Sequence, residues 1–346
     1  MPIARSRAHS GAFSAFGDSL AGDPPGSESQ SDWFADSEPH GVAGNPYLSV
    51  KPKKQPPLPL VPLHRMWRRT IDQVEVCRVM LPLRNLPKGL SGLTACQISD
   101  FHLDRTEDLA RLERAVEAIN RQHPELIFLT GDYFSDAQAM RRHLGGFRER
   151  LAALKANLGV FAVAGNHDHW ASFALIEQAL RGAGVRVLAN ESVRLTLPGG
   201  ELTVVGIDDL WSRRAEPSRA FREITPDDCT IVLAHNPDTA AYLNAFNVGV
   251  MLSGHTHGGV VRIPFYGSPL RSILRIGKEY YAGLNRYNEF YIYTNRGLGT
   301  FWLRIRLNCR PEVAHFSLTE AHPAGTSVAV LPKRIKRSRR RRTHQA

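Results

Sequence analysis

Hydrophobic residues along the middle of this chain fall into short runs, and polar residues follow each run. The runs LTACQISD (93–100) and ELIFLTGD (125–132) predict buried strands. Between them, DLARLERAVEAINRQ (108–122) repeats apolar residues with a helical period, which predicts an amphipathic helix. Strand and helix continue to alternate to about residue 184, so the pattern predicts an α/β fold.

The alternation of strands and helices ends near residue 184, and the elements predicted beyond it are strands. A helix with two internal glycines (140–157), a strand (159–166) and a helix (172–184) complete the alternating part. Beyond it, strands are predicted at 201–209, 229–236, 248–257, 279–284, 289–295 and 312–318. Alternating units followed by strands favour a layered α/β sandwich.

The two ends of the chain differ in composition from its middle. Residues 1–50 are rich in Gly, Ser, Pro and Asp, and KPKKQPPLPLVPL (51–63) is typical of an extended proline-rich linker. The last segment contains PKRIKRSRRRR, which cannot pack in a core. We therefore predict a disordered segment and linker over 1–63, a folded domain over 64–322 and a basic disordered tail over 323–346.

Charge is unevenly distributed over the 346 residues, which carry a formal net charge of +11. The last 22 residues contain eight Lys or Arg and no Asp or Glu, so this tail suits an anionic partner. An anionic membrane surface is the favoured partner. Nucleic acid is the alternative, disfavoured because no aromatic side chains alternate with the cations for stacking on bases.

Two features bear on localisation. The chain has no run of about 18 apolar residues, and its N-terminus lacks the apolar core of a signal peptide, so neither a transmembrane helix nor export is predicted. The four cysteines have no CxxC spacing, which favours free thiols in a reducing compartment. These features predict a cytoplasmic protein that the basic tail could bring to the membrane periphery.

Five apolar runs are each followed by a side chain of metal-ligand type. In open α/β sheets, ligands bind beyond the carboxyl ends of the strands, so we expect these side chains to converge there. In LSGHTHGG, residues two apart on a strand would share a face, which predicts that the two histidines meet at a metal. The candidate ligands are Asp100, His102, Asp132, Asn166, His235, His255 and His257.

The blocks DFH, GDY, GNHD, AHNPD and GHTH occur in this order between residues 100 and 257. In this they resemble the signature of the calcineurin-like metallophosphoesterase superfamily. GHTHGGVVRIPFYG and NRGLGT further resemble a bacterial branch of phosphodiesterases that is similar to UDP-diacylglucosamine hydrolases. The resemblance implies a layered αββα sandwich of the dimetal phosphoesterase type.

The resemblance also implies a division of the ligands. Asp100, His102 and His257 would hold one divalent ion, Asn166, His235 and His255 the other, and Asp132 would bridge both. A bridging carboxylate can offer oxygens to two cations, and two cations can clamp both sides of a phosphoryl displacement. Oxygen and nitrogen ligands without thiolate suit Mn, Fe or Zn.

Three further residues are candidates for catalysis and substrate binding. By the same resemblance, His167 is expected to protonate the leaving oxygen, because an imidazole can carry a proton at working pH. Asp168 is expected to orient that imidazole. Arg296, in TNRGLGT, is expected to grip a phosphate oxygen, with a purely structural role as an equal alternative. Rim and turn positions are expected for His169, Asp208 and Asp209.

Together these observations predict a phosphoesterase that hydrolyses a phosphodiester or pyrophosphate bond by a metal-bridging hydroxide. Its substrate could be lipid-linked or a nucleotide. The alternatives are a phosphomonoesterase or nuclease of the same superfamily, and a non-catalytic basic module that binds nucleic acid. The last alternative predicts missing ligands, and all seven are present.

Overall fold

The computed structural model describes residues 71, 73–263, 266–269, 273–300, 304 and 306–321. The predictions for the N-terminal segment and for the basic tail lie outside these residues. Within the described part of the chain, no helix combines the length and the apolar character needed to cross a membrane.

Twelve strands and five α-helices are assigned in the described residues. The strands are β1 (Glu75–Leu83), β2 (Thr94–Ile98), β3 (Leu126–Thr130), β4 (Val160–Val163), β5 (Arg186–Val187), β6 (Glu191–Leu197), β7 (Gly200–Gly206), β8 (Thr230–Leu233), β9 (Val250–Ser253), β10 (Gly283–Tyr287), β11 (Phe290–Thr294) and β12 (Glu312–Glu320). The helices are α1 (Thr106–Asn120), α2 (Ala137–Leu151), α3 (Asn166–Ala171), α4 (Phe173–Gly182) and α5 (Pro217–Ala220).

The strands form two six-stranded sheets. The first has the order β1-β12-β2-β3-β4-β5, in which β12 and β2 are antiparallel and the other neighbours are parallel. The second has the order β10-β11-β9-β8-β7-β6, with antiparallel pairs at both edges and parallel strands between them. Parallel strands β2 to β4 and β7 to β9 are buried on both faces, which explains their continuous apolar runs.

The two sheets pack face to face and carry helices on their outer faces. Phe128 and Val163 of the first sheet meet Ile231 and Leu252 of the second in a buried cluster between them. Helices α1, α2 and α4 cover the outer face of the first sheet. On the outer face of the second sheet, Val232 packs with residues of α5 and of a 3-10 helix over Pro237–Tyr242. The predicted αββα layering is therefore confirmed.

Strand boundaries differ from the sequence prediction in one consistent way. The strands predicted to run up to their polar ends stop two or three residues earlier: β2 ends at Ile98, β3 at Thr130 and β4 at Val163. The polar residues form separate turns, because they hydrogen-bond across strands rather than continuing a ladder. The run EYYAGL was also wrongly predicted as a strand, since Lys278–Tyr281 is a 3-10 helix that leads into β10.

Candidate metal centre

The carboxyl ends of strands from both sheets meet at one edge of the sandwich. There the turns after β2 and β9 bring together Asp100, His102 and His257, whose ligand atoms lie within 4.8 Å of one another. The turns after β3, β8 and β9 bring together a second group, Asp132, His235 and His255, within the same distance. Residues up to 157 positions apart in the chain thus form two adjacent groups of metal-ligand type.

Asp132 belongs to the second group and also faces the first. Its Oδ2 is 3.1 Å from His235 Nε2 in one group and 3.7 Å from His102 Nε2 in the other. Imidazole nitrogens also face each other within each group, at 3.3 Å between His255 Nδ1 and His235 Nε2 and at 3.1 Å between His257 and His102 Nε2. Such pairs of nitrogens are stable when a cation lies between them, so both groups fit a metal ion.

Asn166 gives an independent indication of a ligand site. It begins α3, and the backbone N–H of the next residue donates to Asp132 Oδ1 at 3.0 Å. The Oδ1 atom of Asn166 is buried without a hydrogen-bond partner among the described residues. Because a buried amide oxygen without a partner is costly, this atom fits the expected role of a metal ligand in the Asp132 group.

The backbone at the centre is strained. Asp100, His102, Asp132, His255 and His257 all have positive φ values, between 43° and 70°. A non-glycine residue in this region is uncommon and costs free energy, and such residues concentrate at functional sites. These strained turns carry the side chains whose ligand atoms converge at the centre.

Gly165 illustrates how closely the backbone approaches the centre. A Cβ atom at this position would collide with Asp132 Oδ1 and lie 2.6 Å from the Asp132 backbone nitrogen. The glycine of the GNHD block is therefore required for the close approach of α3 to Asp132.

The charges of the centre call for cations. Burial raises the pKa of the Asp100 carboxyl to about 7, and burial with the nearby Asp132 carboxylate raises that of Asp168 to about 8. Burial alone would lower the pKa of His235, but the Asp132 carboxylate beside it raises the value to about 10. At Asp100 and His235, which belong to the ligand groups, a bound cation can replace such a proton.

Comparison with known proteins agrees with this geometry. Residues 93–259 match the family model of the calcineurin-like phosphoesterases. Phosphodiesterase YaeI of Escherichia coli is 36% identical over 224 residues, which cover 64% of this chain and 80% of the relative. The chain belongs to the calcineurin-like phosphoesterase family. The expected superfamily membership is thereby confirmed, and the protein is a metal-dependent phosphoric ester hydrolase.

Two further relatives of this phosphoesterase are bacterial. The uncharacterized metallophosphoesterase YkuE of Bacillus subtilis is 32% identical, over 67% of this chain and 81% of its own. The UDP-2,3-diacylglucosamine pyrophosphatase LpxG of Chlamydia trachomatis is 28% identical, over 66% of this chain and 85% of its own. Members of this family use a dinuclear divalent metal centre, and the two ligand groups of this phosphoesterase are the candidates for it.

The structure places His167 beside the centre but outside both ligand groups. Its Nδ1 lies 2.8 Å from the Ser135 carbonyl oxygen, which can only accept, so Nδ1 carries the donated hydrogen. Its ring centroid is 5.0 Å from that of His102 and 4.6 Å from that of Trp170. The fixed Nδ1 contact makes Nε2 the atom that would transfer a proton.

Asp168 makes a different contact from the expected one. Its carboxylate accepts the backbone N–H groups of Asp132, Tyr133 and Gly165, each at 2.8 Å, whereas Ser135 holds the ring of His167. Asp168 therefore fixes the two turns that carry Asp132 and Asn166. It orients the backbone of the centre, not the imidazole.

Arg296 also differs from the expectation. Its Nε is 3.0 Å from Glu312 and its Nη2 is 2.9 Å from Glu75, in a half-buried network that includes the Cys77 sulfur. Two carboxylates occupy this guanidinium, whereas a phosphate contact was expected. The structural alternative accounts for the observed contacts.

The two histidines of GHTH converge on the centre, although not for the reason predicted. Strand β9 ends at Ser253, so strand alternation does not apply to either histidine. His255 joins Asp132 and His235, while His257 lies in a 3-10 helix and joins Asp100 and His102. A turn after the strand directs them into separate groups.

Sequence reasoning missed several residues that support the centre. The Ser135 hydroxyl lies 2.8 Å from His102 Nδ1, and the Thr130 carbonyl accepts from His235 Nδ1 at 2.7 Å. His169 contacts Asp208 at 2.7 Å, and the exposed Trp170 and Trp211 lie against site histidines. The GNHD block marks the neighbourhood of Trp170, but no local signal in the sequence identifies the other contacts.

Proposed function

We propose that this phosphoesterase hydrolyses a phosphodiester or pyrophosphate bond at a centre of two divalent metal ions. The proposal rests on the two ligand groups, which are buried except for the half-buried His255, and on Asp132 Oδ2, which lies 3.1 Å and 3.7 Å from one histidine of each. Asp100, His102 and His257 would hold one ion, and Asn166, His235 and His255 the other. When bound, the ions would supply Lewis-acid stabilisation of phosphoryl oxygens and a water of lowered pKa.

The donor set guides the choice of metal. The two groups offer imidazole nitrogens, carboxylate oxygens and one amide oxygen, and none of their members is a cysteine. Mixed ligands of this kind suit Mn, Fe or Zn. Elemental analysis of the purified protein identifies the ions.

His167 would protonate the leaving oxygen through Nε2. The Ser135 carbonyl holds the opposite ring nitrogen, and the backbone N–H of His167 donates to Asp132 Oδ1 at 3.0 Å. These two contacts align the imidazole with the centre without making it a ligand. A positioned general acid of this kind contributes about 10²–10⁴ in rate.

The surroundings of the centre favour a diester or pyrophosphate over a monoester. A monoester dianion calls for additional cationic side chains. Arg296, however, is paired with carboxylates, and the buried Arg306 donates to the backbone carbonyls of Gly299 and Arg296. The relatives named above as a phosphodiesterase and a pyrophosphatase support the same choice. A phosphomonoesterase or nuclease is the alternative.

Hydrolysis of two chromogenic esters tests the proposal. With Mn-loaded protein, kcat/KM for bis(p-nitrophenyl) phosphate should exceed that for p-nitrophenyl phosphate. A screen that includes UDP-linked lipids and oligonucleotides then narrows the natural substrate. Protein that contains two metal ions and prefers the monoester would contradict the diester assignment.

The basic tail, which lies outside the described residues, is the proposed contact with an anionic membrane. Each Lys or Arg near such a surface contributes about 1 kcal/mol, so engagement of half of the eight cations gives several kcal/mol. Deletion of residues 325–346 should abolish salt-sensitive co-sedimentation with phosphatidylglycerol vesicles and leave hydrolysis of a small soluble diester unchanged. Equal co-sedimentation of the full-length and shortened chains would show that the tail is no tether.

This membrane contact defines the proposed location. We propose a cytoplasmic protein at the membrane periphery, where a lipid-linked phosphoester would be accessible. Nucleic acid is a less favoured partner of the tail. Retention of the full-length chain on vesicles in the presence of excess oligonucleotide distinguishes the two partners.

A further inference from the structure

Two exposed tryptophans flank the centre. The side chains of Trp170 and Trp211 are 58% and 52% exposed. The Trp170 ring meets His167 edge to face, with centroids 4.6 Å apart, and the Trp211 ring meets His255 in the same way at 4.3 Å. Exposed indoles next to polar site residues are unusual, because burial of so large an apolar surface is favourable. An exposed indole in this place offers a flat apolar face on which part of a bound ligand can pack.

The tryptophans lie at opposite ends of one row of side chains that crosses the centre. Neighbouring aromatic and imidazole rings in each half of the row have centroids 4.3–5.1 Å apart, and Asp132 Oδ2 joins the two halves. In order, the row runs Trp170, His167, His102, Asp132, His235, His255 and Trp211. Trp170 thus contacts the histidine proposed as general acid, and Trp211 contacts a histidine of the second ligand group.

Hydrogen bonds fix the backbone turn that exposes Trp211. It lies at the tip of the turn 208–216, in which the Asp209 carboxylate accepts from Ser212 N–H at 2.6 Å and the Asp209 carbonyl accepts from Arg214 N–H at 3.1 Å. Asn190 closes the base of this turn. Its Nδ2 donates to the Arg214 carbonyl at 2.7 Å, and its Oδ1 accepts from the backbone N–H groups of Asp208 and Glu216. The turn thus presents the indole to solvent in a defined position.

A contact between two side chains connects the segments that carry the two tryptophans. His169, next to Trp170, has its Nε2 2.7 Å from Oδ1 of Asp208, three residues before Trp211. Both side chains of this pair are 9% exposed, so it is largely shielded from water. The pair links helix α3 to the turn 208–216.

We propose that Trp211 determines substrate specificity by stacking its exposed indole on a flat ring carried by the group that stays on phosphorus. This inference rests on the proposed function, in which His167 protonates the leaving oxygen. The leaving group then lies at the Trp170 end of the row, and the retained group at the Trp211 end. The flat ring of a nucleotide base is a ligand of this kind, because the face of any base can stack on an aromatic side chain.

Two esters with the same leaving group isolate this contact. Thymidine 5′-monophosphate p-nitrophenyl ester and methyl p-nitrophenyl phosphate both release p-nitrophenolate, and only the first retains a ring on phosphorus. We expect the Mn-loaded protein to show a higher kcat/KM for the thymidine ester. Trp211→Ala should lower the thymidine-to-methyl ratio by about fivefold to a hundredfold, the loss expected for one base–aromatic stack. Trp211→Phe should restore most of the ratio.

Trp170→Ala is the matched control, because it removes a tryptophan of similar exposure at the other end of the row. Its effect should be equal for the two esters, so the ratio should stay at the wild-type value. A wild-type ratio in Trp211→Ala, with two metal ions bound, would overturn the stacking inference. Wild-type protein that hydrolyses both esters with equal kcat/KM overturns it as well and leaves the proposed function intact. If metal-loaded wild-type protein hydrolyses neither these esters nor a nucleotide pyrophosphate, both proposals are wrong.

Discussion

Replacement of Asp132 by asparagine is expected to reduce the bound metal to fewer than two ions per chain and to abolish hydrolysis. Asp132 belongs to the second ligand group, and its Oδ2 faces a histidine of each group. The amide has nearly the same shape but lacks the negative charge that two cations would share. The pKa of the Asp132 carboxyl is itself held below its usual range, because His235 and His102 outweigh the effect of its burial. Elemental analysis and diester hydrolysis measure the two effects.

Asp136→Asn is the matched control for this substitution. Asp136 lies only four residues further along the chain, and its replacement by asparagine is the same change from carboxylate to amide. Its Oδ1 accepts from Ala139 N–H at the start of α2, and asparagine caps a helix equally well. We expect this variant to keep two metal ions and wild-type turnover. Two ions and near wild-type turnover in Asp132→Asn would refute the dimetal assignment.

Replacement of His167 by alanine is expected to lower the rate by about 10²–10⁴ while both metal ions remain bound. The imidazole contacts the His102 ring, but its Nδ1 bonds to the Ser135 carbonyl and its side chain belongs to neither ligand group. Loss of the general acid should therefore affect the chemical step rather than metal binding. Single-turnover rates combined with elemental analysis separate these effects.

The leaving group provides a sharper test of the same residue. A p-nitrophenolate needs little protonation, so its release should depend less on His167 than release of an alkoxide. The loss in His167→Ala should accordingly be smaller for bis(p-nitrophenyl) phosphate than for a diester with an alkyl leaving group. His315→Ala, on β12 of the first sheet, should leave both rates unchanged. Equal losses for good and poor leaving groups in His167→Ala would exclude the general-acid role.

The sequence by itself was sufficient to predict the layers and the composition of the centre. Helical periodicity located α1 and α4, because a helix that buries one face repeats its apolar residues at the helical spacing within a short stretch of chain. Ligand-type residues after successive apolar runs indicated the edge of the sheets where the groups of Asp100 and Asp132 are found. Both features depend on short-range patterns and on a general rule of sheet topology.

The tertiary structure alone decided how the side chains are paired. His255 and His257 are two residues apart, yet long-range contacts assign them to different groups, and the backbone N–H of His255 donates to Asp100, 155 residues away. Arg296 bonds to Glu75, 221 residues away, although the local sequence equally allowed a phosphate contact. A side chain's partner depends on which backbone segments the packed sheets bring within a few ångströms of it. Local patterns contain no such information, and for that reason the exposed indole of Trp211 beside His255 became visible only in the folded chain.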